Sequence, residues 1–112
     1  MRRAAILIIF CASLCGCFVW AAGKDPAGAK LQAQSEQVAA GLNAYRAKYG
    51  ALPERLDLLV PEFIPALPSP SIRYDRSRAS LAFNYSPSWP QSGQAFCSTG
   101  IEHISWHCAG YL

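Results

Sequence analysis

Charge is scarce in this sequence, and the charges that are present nearly balance. Charged residues make up 15% of the chain, with ten Lys and Arg against seven Asp and Glu. Two of the ten are Arg2 and Arg3, so the rest of the chain is close to neutral. Proteins that bind nucleic acid carry a basic patch or stripe. The sequence therefore gives no reason to expect nucleic acid as a partner.

The common enzyme motifs are also missing. The sequence contains no Gly-x-Ser-x-Gly elbow, no glycine-rich phosphate loop, no His-Glu-x-x-His helix and no Cys-x-x-Cys pair. Its later acidic residues are scattered among loops and short elements, as on a solvated surface. No nucleophile, base and orienting group can be assembled from such a pattern. We therefore expect no enzyme activity, no catalytic residue, no cofactor and no small-molecule substrate.

One long apolar run extends from position 4 to position 22, directly after two arginines. Two positive charges, a short apolar core and small residues are typical of a secretory signal. The run contains Leu14-Cys15-Gly16-Cys17, which resembles a bacterial lipobox. That resemblance implies that Cys17 is lipidated. Residues 1–16 would then be a signal peptide, 17–23 a lipid anchor and tether, and 24–112 a periplasmic domain.

An uncleaved signal anchor is the alternative interpretation of the same run. As a helix, the run would be about 28 Å long, close to the roughly 30 Å of a hydrocarbon core. Trp20 would lie in the interfacial belt, and the two arginines would stay inside. Both interpretations place the rest of the chain on the periplasmic side of a bacterial cell envelope, bound to the membrane.

A long helix is predicted between Asp25 and Gly50. Asp25-Pro26 is a favourable helix start, and Gly50 can adopt the left-handed conformation that ends a helix. The apolar side chains lie on one stripe, which becomes denser toward the C-terminal half. We therefore expect that half to pack on the domain and the N-terminal half, weakened by Gly28 and Gly41, to be an exposed spacer. The stripe consists of Leu31, Val38, Leu42, Tyr45 and Tyr49.

A short second helix is predicted to begin at Pro53 and to stop before Pro61. One of its faces, which carries Leu52, Leu56, Leu59 and Val60, is expected to fold back on the tyrosine side of the long helix. Further prolines follow and favour extended structure.

Two hairpins are predicted after these prolines. Apolar and polar residues alternate from Ile72 to Asp75 and from Ser80 to Tyr85, around a short polar connection. A second pair of strands is expected over Gln94–Ser98 and Ser105–Cys108. The leucine and aromatic face of the sheet should cover the long helix. The predicted fold class is α+β, with a long N-terminal helix packed on a small antiparallel sheet.

The chain has five cysteines, three of which lie in the apolar run. If processing removes everything before Cys17 and modifies that residue, only Cys97 and Cys108 remain to form a disulfide. Placing them opposite each other satisfies the close approach that a disulfide needs and pairs Thr99 with Trp106. A disulfide persists in oxidising compartments, which agrees with export.

A zinc site is the alternative for the same region, since Cys97, His103, His107 and Cys108 carry suitable ligand atoms. Their spacing differs from the paired-ligand pattern, and His107 and Cys108 would point to opposite faces of a strand. We therefore expect the disulfide and no metal.

Trp89 lies between two prolines in a segment, 86–93, with turn composition throughout. Two interpretations are open. The side chain either packs over the edge of the sheet or is exposed as a contact for a protein partner, since tryptophan is enriched at binding hot spots.

The junction between helix and sheet resembles the type IV pilin superfamily, in particular the major pseudopilins of type II secretion. The ending Trp106-x-Cys108-x-Gly110-Tyr111 is similar to that of small bacterial lipoproteins. Cys17-Phe18-Val19-Trp20 stands where a prepilin cleavage motif would be. The resemblance therefore implies a pilin-like fold in which a lipid anchor at Cys17 replaces the membrane helix of a pilin. The matching junction residues are Tyr49-Gly50, Leu52-Pro53, Leu56 and Leu59-Val60-Pro61.

These features indicate a membrane-tethered structural or interaction protein, a pseudopilin-like subunit or accessory of an envelope or secretion assembly. The alternative is a stand-alone inhibitory or protective lipoprotein that binds one extracytoplasmic protein. Residue chemistry does not separate the two.

Replacing Cys17 by Ser tests the lipid anchor. If Cys17 is lipidated, we expect Cys17→Ser to abolish incorporation of labelled palmitate and to change the release of the protein from membranes. A signal anchor does not depend on this thiol. Unchanged membrane fractionation of the variant would therefore favour the uncleaved helix.

Overall fold

The computed structural model describes residues 21–89 and 93–110. Within them, one helix precedes four strands that form an antiparallel sheet in the order β1-β2-β3-β4. This confirms the α+β class and the packing of a helix on a small sheet. The signal and lipidation predictions, Cys17 included, lie outside the described residues. The elements are α1 Pro26–Tyr49, a 3-10 turn Leu56–Leu59, β1 Ile72–Asp75, β2 Ser80–Tyr85, β3 Ala95–Gly100 and β4 His107–Gly110.

The ends of α1 follow from its terminal residues, as predicted. Asp25 occupies the N-cap position and Pro26 the first turn, where the missing N–H of proline costs nothing. At the other end, Gly50 has φ 82° and donates its N–H to the carbonyl oxygen of Arg46 at 2.7 Å. The helix is not at the N-terminus of the chain, although it comes before every strand.

Alternation along the strands sets which face of the sheet is buried. One inward row crosses all four strands, because Ile72 pairs with Phe83, Phe83 with Cys97, and Cys97 with Cys108. Phe83 and Cys97 have no exposed surface. Both hairpins are confirmed, as is the predicted pairing of the two cysteines.

The core lies between this face and α1. Val38 and Leu42 on the helix pack against the inward residues of β2, of which Leu81 and Phe83 are fully buried. Leu59 from the 3-10 turn fills the same core. Removing each such side chain from water contributes about 1.5–3 kcal/mol. The helix and sheet therefore stabilise each other.

The N-terminal half of α1 is not the exposed spacer that its composition predicts. Gly28 is buried, and a Cβ on it would lie 2.5 Å from the Tyr85 hydroxyl oxygen. Gly41 is equally close-packed, since a Cβ there would lie 2.8 Å from Cγ2 of Ile64. Both glycines are points of close approach between the helix and its neighbours.

Three smaller predictions were also wrong. Tyr49 is 55% exposed, because it lies on the last turn of α1, where its ring contacts those of Tyr45 and Phe63 but stays largely open to solvent within the described part of the chain. The second helix is reduced to the 3-10 turn and does not begin at Pro53. Strand β4 starts at His107, so Thr99 is not paired with a tryptophan on β4.

The last difference has a local cause. The hydroxyl oxygen of Thr99 accepts a hydrogen bond from the N–H of Ser105 at 2.8 Å, which closes a loop instead of extending the ladder. Trp106 then turns toward the core, where its ring meets Phe83, and its indole N–H donates to Glu36 on α1 at 3.2 Å.

Removing the disulfide should strongly destabilise the domain. Cys97 and Cys108 are eleven residues apart and their Cα atoms lie 4.1 Å apart. Closing a loop of this size stabilises a fold by about 3 kcal/mol in the chain-entropy model. We expect the double variant Cys97→Ala/Cys108→Ala to lose a comparable free energy of unfolding in denaturant titrations. Reduction of the unmodified chain, which leaves no cavity, is the control; equal stability with and without reductant would contradict the prediction.

Candidate functional site

The start of the helix and the end of β2 meet in a polar cluster that we call the Asp25 junction. It comprises Gly23, Asp25, Gln32, Tyr85 and Ser88. The hydroxyl of Tyr85 donates to Oδ1 of Asp25 at 2.5 Å, and the N–H of Ser88 donates to Oδ2 at 2.9 Å. Asp25 has no exposed surface. The carboxylate therefore joins the helix start to a strand and a loop that lie far along the chain.

The same cluster fixes the chain just before the helix. The N–H of Gly23 donates to the hydroxyl oxygen of Tyr85 at 3.0 Å, and the carbonyl oxygen of Gly23 accepts from the side-chain amide of Gln32 at 3.0 Å. That amide also lies 3.5 Å from Sγ of Cys108. The disulfide therefore lies against the point where the chain enters the domain.

The charge of Asp25 is stabilised by these bonds. Burial alone raises the pKa of a carboxyl group, but the hydrogen bonds from Tyr85 and Ser88 act in the opposite direction and hold the pKa of Asp25 below its ordinary value of 3.8. Asp25 occupies the N-cap position of α1, and the partners of its carboxylate include groups outside the helix. No local pattern indicates partners some sixty residues away.

Trp89 lies directly after this cluster. Its side chain is 84% exposed, so packing over the sheet edge is ruled out. Its role as a partner contact stays a prediction. Ser88, the preceding residue, is held by two hydrogen bonds. Its N–H donates to Asp25, and its hydroxyl oxygen accepts from the N–H of Ala27 at 3.2 Å. Trp89 is therefore presented from a fixed point beside the start of the helix.

Within the described part of the chain, no helix covers the face of the sheet opposite α1. Its middle row runs Arg73, Ala82, Ser98, His107, one residue from each strand in register. Small side chains in the two central strands leave a shallow trough of about 440 Å³, with arginine on one side and imidazole on the other.

An arginine and an aromatic ring lie together on this face. The guanidinium carbon of Arg73 is 5.9 Å from the centre of the Phe96 ring, and its Nη2 donates to Oδ1 of Asn84 at 2.7 Å. The Phe96 side chain remains 38% exposed. Arg78 is held near Asp75 at 3.7 Å. The arrangement suits binding of a polypeptide surface, because planar cations and aromatic rings are the groups enriched at protein interfaces.

A second concavity, a groove of about 320 Å³, lies between α1 and the proline-rich segment 64–69. Ile64 and Val38 are buried at its base, and Leu67 is 60% exposed at its edge. The side-chain oxygen of Gln34 accepts from the N–H of Ser69 at 3.3 Å, which ties the segment to the helix.

The structure assigns both C-terminal cysteines to the disulfide. Across residues 21–89 and 93–110, no three His, Cys, Asp or Glu side chains are grouped closely enough to hold a metal ion. The helix of this described part is not apolar enough to cross a membrane. Comparisons of the chain with protein-family models, with curated proteins and with solved structures found no match.

The Asp25 junction makes stability depend on pH. The folded-state pKa of Asp25 is depressed, so its contribution is fully present above the ordinary value of 3.8 and is lost as the pH falls through the folded-state pKa. At neutral pH we expect Asp25→Asn to lower the free energy of unfolding by about 1–3 kcal/mol. Below pH 3.8 the difference from the unmodified chain should shrink in thermal unfolding.

Asp75 supplies the control. The hydroxyl of Ser77 lowers the pKa of this carboxyl too, but Asp75 is the last residue of β1 and its side chain is about half exposed. Asp75→Asn should change stability less than Asp25→Asn at neutral pH. If the two substitutions lowered the free energy of unfolding equally, the prediction that the buried Asp25 carboxylate stabilises the domain more than Asp75 would be contradicted.

Proposed function

We propose that this chain is a membrane-tethered extracytoplasmic interaction protein, built on a pilin-like helix and sheet, that serves as a subunit or accessory of an envelope or secretion assembly. The lipobox-like segment ending at Cys17 supports the tether. The disulfide between Cys97 and Cys108 supports an oxidising compartment outside the cytoplasm.

The open face of the sheet is the observation that carries the proposal. The helix covers one face, whereas the other presents the trough with Arg73 and Phe96 at one end and His107 across it. Arg is among the residues that dominate binding energy at protein interfaces, and aromatic residues are enriched there. A partner that covers this face would bury the half-exposed Phe96 ring and satisfy the remaining donors of the guanidinium group.

The interior supports the same role, because the trough is built on rigid elements. Its residues sit on paired strands, and the opposite side of those strands is the core. Sites on paired strands hold their geometry better than sites on loops. The trough is therefore ready to bind without a large ordering cost.

Affinity purification from detergent-solubilised envelope tests the proposal. We expect the full chain to retain an extracytoplasmic protein complex, and Phe96→Ala and Arg73→Ala each to weaken retention by roughly tenfold or more, as hot-spot residues do. Leu67→Ala is the matched control, since Leu67 is more exposed than Phe96 but lies on the groove side.

Three outcomes are informative. Loss of the complex with the two trough variants and not with the control supports the proposal. Retention of a single protein in a one-to-one complex would favour the inhibitory or protective lipoprotein. Equal binding by all variants would contradict the trough as the partner surface. Thermal unfolding of each variant checks that the fold is kept.

A further inference from the structure

We propose that Trp89 inserts into the interface of the same bilayer that holds the tether, as a second contact beside the anchor. The inference rests on the membrane tether of the proposed function and adds a specific lipid-facing residue to it. It assigns the exposed tryptophan to lipid and leaves the trough to the protein partner.

The first step is that Trp89 is fixed at the tether end of the domain. Ser88, its neighbour in the chain, donates its N–H to Asp25 and accepts from the N–H of Ala27. These bonds hold the start of the loop against the first turn of α1. The loop is therefore not free to carry Trp89 elsewhere on the domain.

The second step is that the chain leaves the domain at the same place. The apolar run ends at position 22, and Gly23 is buried against Tyr85 and the disulfide. Fully extended, the tether from Cys17 to Gly23 spans at most about 21 Å. If the apolar run stays in the membrane as a helix, the distance is shorter still. Either anchor keeps the end of the domain that carries Trp89 close to the bilayer.

The third step is the chemistry of the exposed groups. Trp89 presents an indole ring that is 84% exposed, and Lys24 is an exposed cation beside the buried Asp25. Tryptophan is enriched at the membrane interface because its ring is apolar and its N–H is polar, and lysine reaches the headgroups from the same level. In water, by contrast, the exposed ring gains no free energy from the burial of its apolar surface.

The position of Trp106 gives an internal reference for the distance of a side chain from the start of the helix, where the proposed membrane contact lies. Its indole N–H reaches Glu36, which lies about 16 Å along the helix from Asp25. Tyr49, at the other end of the 24-residue helix, lies about 36 Å from Asp25. Trp89 is thus at the membrane end, and these two positions lie progressively farther along the helix.

Fluorescence quenching by lipid tests the inference. The full chain is placed in vesicles of phosphatidylethanolamine and phosphatidylglycerol with brominated acyl chains, which quench only nearby indoles. Two variants are compared, Trp20→Phe and Trp20→Phe/Trp89→Phe, and both keep Trp106. We expect strong quenching and a blue-shifted emission in the first variant and the loss of that quenched component in the second. The difference isolates Trp89 without altering the core.

A matched control adds Tyr49→Trp to the second variant, which places an exposed indole at the far end of the helix. We expect its emission to be unaffected by the brominated lipid. Quenching of this indole as strongly as of Trp89 would overturn the inference, since it would show no preference for the tether end.

Flotation of the vesicles separates the two ways of failing. If the full chain does not float with the vesicles, the membrane tether of the proposed function is wrong and the inference falls with it. If the chain floats but Trp89 stays unquenched, only the inference is overturned. That result together with weaker envelope purification by Trp89→Phe would assign Trp89 to the protein partner instead.

Discussion

Two hydrogen bonds to the Asp25 carboxylate, from Tyr85 and from the backbone of Ser88, join the start of the helix to the end of β2 and to the loop that follows it. The carboxylate is buried, so leaving it unpaired would cost several kcal/mol. Tyr85 completes the connection, since its hydroxyl oxygen also accepts from Gly23. The Asp25 carboxylate and the Tyr85 hydroxyl together fix the start of the helix, Gly23 before it, and Ser88, the residue that precedes Trp89.

The two ends of the domain are held by different kinds of interaction. At the start of the helix, polar bonds and the disulfide hold Gly23, and the exposed Trp89 lies close by. At the other end, an exposed ion pair joins Arg46 to Glu102, and the hydroxyl of Tyr74 donates to the carbonyl oxygen of Pro53 at 2.6 Å. Exposed pairs contribute little to stability.

Patterns that are local in sequence predicted much of this fold. The alternation of apolar and polar residues predicted which side chains of β1 and β2 face the core. The capping residues predicted both ends of the helix. Both signals arise from residues that are neighbours in the chain. The pairing of Cys97 with Cys108 was predictable for the same reason, since only a short hairpin separates them.

Features that depend on distant contacts were not predictable. Gly28 resembles a weak point in a helix until Tyr85 is seen lying against it, and Asp25 resembles an ordinary N-cap until its partners appear. Tyr49 fits the apolar stripe, yet its neighbours at the helix end leave it exposed. The trough on the outer face arises from small side chains on strands whose register no single segment reveals.

Site-specific photo-crosslinking in intact cells tests the central proposal most directly, that the open face of the sheet binds a protein outside the cytoplasm. A photo-reactive residue at His107, which is exposed beside the trough, should give a covalent adduct with an extracytoplasmic protein. The same residue at Tyr49, exposed at the end of the helix, should give none or much less. Adducts at Tyr49 and none at His107 would contradict the proposal.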